Sequence, residues 1–342
     1  MELSKSQLAN NFHKKNCIVD IHCHPILGNL FFSDNFLTEF GSHSAAVNPV
    51  KANLTVSALI DGGVNIIVSA MYSIKYHSIK ARQMGIAAQI KQTYEWIKTD
   101  HRVSIIERAS DLENLDPEKL YILMGIESGI QIDKDLTLID EFHSMGVRTL
   151  VPIHFLPNHF GFSCHLPSIL DYGLTAAGEK LVEKMNQYGW IIDLAHCSER
   201  TFDQIIEQSN APVMVSHMNL REYFNIKRNI SNEQALKIAR NGGVLGQILF
   251  KGYLRRAGKK VGIKEVADSI DRLVQIVGID CVSIGTDMDA PIDLPKGLSS
   301  PRHFPRLTEE LMRRSYSEAD LKKLWSDNFF RVWKEAEKLS SH

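Results

Sequence analysis

Eight short runs of β-branched and aliphatic residues, each followed by a stretch of helical periodicity, constrain the fold of this chain more than any other feature in it. They are Cys17–Ile21, Val64–Ala70, Tyr121–Ile126, Arg148–Ile153, Trp190–Ala195, Pro212–Ser216, Gly243–Phe250 and Cys281–Gly285. Runs that are apolar on both faces read as strands of a parallel sheet covered by helices. Amphipathic stretches at Leu174–Tyr188, Ser198–Gln208 and Lys264–Val277 supply the cover. Ser231–Gln234 forms a capping box whose helix stops at Asn241–Gly242–Gly243. Eight such units suit a closed (β/α)8 barrel of the TIM type better than an open sheet. Val103–Ile106 falls outside that count and reads as an insertion, and Ser317–Lys338 reads as an additional C-terminal helix packed outside the barrel. No repeat, low-complexity tract or linker divides residues 1–342, so a single domain is expected.

Composition removes several roles. Of 342 residues 44% are hydrophobic, and 39 basic side chains against 40 acidic ones leave a formal net charge of −1. A chain so balanced, with no block of Lys or Arg, lacks the electrostatic footprint of a nucleic-acid or membrane-surface binder. Met1–Lys15 is polar and no run approaches the ~18 apolar residues of a spanning helix, so the cytoplasm is the expected location. Five cysteines without CxxC spacing make a poor disulfide or zinc framework and read as reduced thiols. The 14 histidines are the informative excess.

Position gives them meaning. The first strand ends in His22 and His24, the third in Glu127, the fourth in His154, the fifth in His196, the sixth in His217 and the eighth in Asp287. In a barrel the C-terminal strand ends converge on one mouth, so these distant residues would meet. Strand side chains alternate, and the i, i+2 pair His22 and His24 points one way and can chelate one ion; Asp20 shares that parity. Imidazole nitrogen and carboxylate oxygen suit divalent cations such as Zn²⁺, and Glu127 is placed to bridge two of them. A pair of such ions about 3.5–4 Å apart polarises a carbonyl and lowers the pKa of a shared water toward ~7. Amide or ester hydrolysis is the chemistry implied.

A lone histidine after a strand is more often a core or loop residue than a ligand, but seven such residues at six strand ends make metal binding the better reading for His22, His24, Glu127, His196 and His217. His154 and Asp287 could equally orient a ligand. His13, His43, His77, His101, His143, His159, His165, His303 and His342 read as solvated helix or loop residues, with some reserve for His159 and His165, which closely follow the fourth strand. Cys23 and Cys197 read as packing residues.

The motifs resemble the membrane (renal) dipeptidase family of zinc metallopeptidases, within the metal-dependent amidohydrolases. The likeness rests on Val19-Asp20-Ile21-His22, Gly125-Ile126-Glu127, Gly173-Leu174-Thr175, Ile192-Asp193-Leu194-Ala195-His196, Ser216-His217, Arg228-Asn229-Ile230, Gly285-Thr286-Asp287-Met288-Asp289 and Asp327-Asn328-Phe329. The resemblance implies two zinc ions: one on His22 and His24, one on His196 and His217, with Glu127 bridging both. It also implies that Asp287 manages the proton of a bridging water, that His154 steadies the substrate carbonyl, and that Arg228 grips a free carboxylate. A dipeptide substrate and a possible homodimer come with it.

Three departures stand out, one of them the divergent seventh strand, Val244–Phe250. Where the family usually has Asp this chain has His24, the His-x-His pattern of other amidohydrolases, so one anionic ligand becomes neutral. After His154 the chain reads Phe155-Leu156-Pro157-Asn158, without the usual asparagine beside the histidine. The reading is a dipeptidase. Its nearest alternative is another reaction at the same centre, such as lactone or cyclic amide hydrolysis or deamination, and a barrel that only binds is a third.

Overall fold

The computed structural model describes residues 3–27, 36–37, 53–73, 78–132, 134, 136–254 and 260–340. A strand overlaps each of the eight runs, its ends differing by one to three residues: β1 (Val19–Cys23), β2 (Ile66–Met71), β4 (Leu120–Glu127), β5 (Val147–Val151), β6 (Ile191–Ile192), β7 (Met214–Met218), β8 (Val244–Gln247) and β9 (Val282–Ile284). The ninth, β3 (Val103–Ile105), is the segment expected as an insertion. It is a strand because β4 is long: Leu120–Ile122 pairs with β3, leaving Met124–Glu127 to pair with β5.

The pairing is parallel throughout these ladders, in one sheet ordered β1-β2-β4-β5-β6 with β3 on β4, and a second ordered β7-β8-β9. The two sheets meet at single parallel bridges, Asp193 with Met214 and Cys23 with Met288. Leu194 donates to the Met214 carbonyl at 2.8 Å, and His24 to the Met288 carbonyl at 2.9 Å. The fold is α/β with a curled parallel sheet.

Helices follow the strands where the caps direct them. Thr175 and Ser198 each accept the N3 amide of Ala176–Tyr188 and Glu199–Gln208. Ser231 and Gln234 close the capping box of Asn232–Asn241, and Gly242 ends that helix in the left-handed region at φ 76°. Ile263–Val277 covers β8 and β9.

Alternate strand residues Val19, Ile21, Ile66, Val68, Leu123, Ile191, Met214 and Val244 pack into one apolar cluster with Phe329, Val332, Trp333 and Ala336. The C-terminal segment therefore does not simply lie outside the strands as expected. It runs as Glu318–Lys322, a π-turn at Lys323–Asp327 and the helix Asn328–Glu337. Its aromatic face plugs the N-terminal ends of the strands, because the space between them is apolar and needs a lid. Deleting a buried side chain of Trp333 size costs about 3–5 kcal/mol.

Candidate metal centre

At the other end of the strands, the side chains singled out from the sequence come together. His22 and His24 project from the end of β1, Glu127 closes β4, His154 follows β5, His196 follows β6, His217 lies in β7 and Asp287 follows β9. All are buried. Ser128, His196 and Asp287 take φ values of 136°, 67° and 58°, strained for residues with a side chain. The strain is held by ladder bonds at the seams, Asp287 N to the His22 carbonyl and Cys164 N to the His196 carbonyl, each 2.9 Å.

The Glu127 carboxylate is the hub. Its Oε1 lies 3.3 Å from Nε2 of His196, 3.5 Å from that of His22, 3.5 Å from that of His154 and 3.6 Å from that of His217. Its Oε2 lies 3.5 Å from Nε2 of His24. Asp287 Oδ1 is 3.1 Å from His24 Nε2 and 3.9 Å from His22 Nε2. Three overlapping trios come within coordinating reach: His22 with His24 and Glu127, His22 with His217 and Asp287, and Glu127 with His154 and His196.

The far side of each ring is also engaged. His24 Nδ1–H donates to the Ala70 carbonyl at 3.0 Å, which turns Nε2 toward Glu127 and Asp287. Nδ1 of His22 and of His217 face the Ser216 hydroxyl at 3.0 and 2.8 Å. That serine sits where nothing larger than glycine fits beside it: a Cβ on Gly246 or Gly285 would overlap the Ser216 carbonyl. His22 Nε2 is buried with no hydrogen-bond partner. An orphaned imidazole nitrogen among nitrogen and carboxylate donors is what a borderline divalent cation satisfies, so the residues fit the metal implied by their types.

Electrostatics agree. Burial holds His154, His196 and His217 below the usual histidine range, so they are neutral donors at pH 7. Burial opposes charge on His24 too, but its bond to Asp287 and the charge of Glu127 outweigh it and push its pKa up to about 9. Burial likewise opposes the Glu127 anion, yet the surrounding imidazoles keep it well below the ordinary carboxylate range.

Below the cluster, Asp20 does not join the ligands despite its parity. It accepts from Thr286 N at 2.9 Å, Thr286 Oγ1 at 2.5 Å and His22 N at 3.2 Å, tying β1 to β9. Asp193 does the same between β6 and β7, accepting from Ala195 N and Ser216 N at 3.0 Å each. Its place in Asp-Leu-Ala-His was the available signal.

Arg228 is buried beside the centre, not a surface cation. It donates to the His217 carbonyl at 2.8 Å, lies 5.5 Å over the Tyr253 ring and keeps an unpartnered Nε. Of the histidines read as solvated, His13 is buried, and His165, exposed as expected, nevertheless touches the centre. His165 Nε2 lies 2.9 Å from His196 Nδ1, because the loop after β5 folds back over the mouth. His13 is buried between the Gly62 carbonyl and Thr308, because the helix Lys5–Lys15 turns that face inward. His143 packs against Tyr188 and Trp190, and His159 against Phe160. His43, His77 and His342 lie outside the described residues. Cys23 and Cys197 sit in the main apolar core.

The class these features define is an α/β protein carrying a buried histidine–carboxylate centre, with metal-ligand chemistry, at the C-terminal ends of a parallel sheet. The family model for membrane dipeptidase (peptidase family M19) matches residues 6–342, and the chain belongs to that family, one of metallopeptidases, which implies a divalent metal. Among curated relatives it is 32% identical to dipeptidase 3 of Macaca fascicularis over 243 residues, 69% of this chain and 49% of that protein. With dipeptidase 3 of Homo sapiens the figure is 30% over 260 residues, 73% of this chain and 53% of that one. The chain thus spans about half the length of these relatives. Among solved structures it is similar to a probable dipeptidase, PvdM, of Pseudomonas aeruginosa, at TM-score 0.88 and 23% identity, covering 98% and 99% of the two chains. A metallopeptidase from Rhodobacter sphaeroides, liganded with a phosphinate mimic of the dipeptide L-Ala-D-Ala, matches at TM-score 0.82 and 21% identity over 94% and 99%. No helix among the described residues is long and apolar enough to cross a membrane.

Proposed function

We propose that this chain is a metal-dependent dipeptidase whose two ion sites share Glu127. The observation that carries it is the convergence of five imidazole Nε2 atoms on the two oxygens of that one carboxylate. His22 and His24 would hold one divalent ion, His196 and His217 the other, zinc by the donor set. When bound, the pair supplies Lewis acidity that makes water a nucleophile at neutral pH.

The chain's own groups do the rest. Arg228 binds the free carboxylate of the dipeptide through its guanidinium. His154 aims Nε2 toward the scissile carbonyl oxygen and stabilises it as negative charge develops. Asp287 takes a proton from the attacking water and passes it to the departing amine. The dipeptide mimic held by the Rhodobacter sphaeroides enzyme supports a substrate of that size. The same reading takes the strands as a closed (β/α)8 barrel forming one domain, supported by the bridges at both seams and the aromatic plug below.

His24, where the resemblance expects Asp, favours one rival: hydrolysis of a cyclic amide or lactone, or a deamination, at the same centre. Carboxylate dependence separates the two. The central test is Glu127→Gln, read as zinc per chain and dipeptide turnover. Loss of metal and at least a hundred-fold loss of turnover are expected. Zinc and turnover both at wild-type levels would remove the bridge and the proposal with it.

A further inference from the structure

We infer that Phe155 forms the wall of an apolar subsite that receives a hydrophobic side chain of the substrate, an inference that rests on the dipeptidase reading and adds a selectivity to it.

The ring stands against the centre itself. Its centroid is 4.1 Å from the His154 ring and 5.5 Å from that of His196, with His165 at 5.0 Å. Its remaining surface is open, for the residue is 51% exposed. Such a ring could turn away from water if its backbone were loose. It is not. The Ser163 hydroxyl reaches the carbonyls of His154 and Phe155 at 2.7 and 3.1 Å. Ser163 also bridges to Cys197, next to His196. Its backbone is held beside the centre, and its ring packs against three imidazoles while half of the residue stays exposed.

An exposed aromatic fixed at the lip of a polar cluster marks a contact awaiting an apolar partner. The mouth is divided: Arg228 and Asp287 bring charge to one part, Phe155 brings an apolar face to another. A dipeptide with a free carboxylate and a hydrophobic side chain uses both. Next to His154 a polar residue would offer such a side chain nothing, and glycyl substrates gain nothing from Phe155. Selectivity between them is therefore the property this residue controls.

The test compares kcat/KM for two dipeptide series, X-Ala and Ala-X with X as Gly, Ala, Leu or Phe, on the zinc-loaded wild type and on Phe155→Asn, Phe155→Ala and Phe155→Leu. In at least one series the wild type should favour Leu and Phe over Gly, and Phe155→Asn and Phe155→Ala should each reduce that preference about ten-fold, mostly through KM. Zinc per chain should remain near wild type, and Phe155→Leu should recover the preference for Leu. Phe155→Ala reads the same ratio should the asparagine variant lose its metal. An unchanged Leu-to-Gly ratio in both series, with dipeptide turnover intact, overturns the subsite alone; this is also the result expected if another macromolecule covers the ring. Absence of any dipeptide turnover by the wild type overturns the subsite and the dipeptidase reading together.

Discussion

The Nε2 atoms of His196 and His217 lie 3.0 Å apart, with Glu127 Oε1 within 3.6 Å of both. Two neutral imidazoles at this distance present lone pairs to each other unless one carries a proton or both face a cation. The sheet holds them there, an arrangement that a bound cation would relieve.

Metal should therefore stabilise the protein markedly. Zinc at about 100 times its Kd adds about 2.7 kcal/mol per site, worth several degrees in Tm for a chain of this size. Thermal unfolding with chelator and after zinc addition measures it. Identical midpoints would mean that no ion binds the folded state preferentially.

Arg228→Ala should lower kcat/KM about a hundred-fold for dipeptides with a free C-terminus, the scale of a lost charge-assisted pair. Dipeptide amides should lose far less. Arg228→Lys should recover little, since a point charge does not reproduce the planar fork. Equal losses on acids and amides would favour the cyclic-substrate rival.

His165 Nε2 meets His196 Nδ1 at 2.9 Å, a contact that orients that ring with its Nε2 toward Glu127. Removing such an outer partner typically costs 10–100-fold in metal affinity. Competition titration with a zinc indicator should show that range for His165→Ala, with His165→Gln recovering part of it. Wild-type affinity in the alanine variant would make the contact incidental.

His13 supplies a pH dependence remote from the centre. Burial lowers its pKa to about 4, against 6.5 for an exposed histidine. Between those values the unfolded chain binds a proton that the folded one refuses, so stability falls as pH drops through that window. The full loss is about 3 kcal/mol by pH 4. Urea unfolding at pH 7 and pH 4 should show the wild type losing about that much more than His13→Gln. Parallel losses would assign the dependence to other groups.

Much of the fold and of the site is legible in the sequence. The strand runs and their polar ends depend on period and placement, which sequence states directly, and so His22, Glu127, His154 and Asp287 could be brought to one face. What escaped depends on the third dimension. His165 lies 31 residues from His196 and meets it only because the loop after β5 folds back. His13 sits on a polar helix whose one inward face is decided by Thr308, 295 residues away. The strained backbone of His196 and Asp287 carries no glycine to announce it. The run at Val103–Ile106 is visible in the sequence, but its pairing with β4 is not, because a ninth strand exceeds the count that a barrel of eight units allows.

The plug of Phe329, Val332 and Trp333 against Val19 and Ile21 has a consequence for biosynthesis. The first strand leaves the ribosome some 300 residues ahead of the side chains that seal beneath it, an interval of roughly 15 to 60 s at bacterial to eukaryotic elongation speeds. Throughout that time the nascent strands offer unfilled greasy surface and open edges, and contacts so distant along the chain are slow to form afterwards. The last helix to be synthesised is thus the one that completes the apolar cluster begun by the first strand.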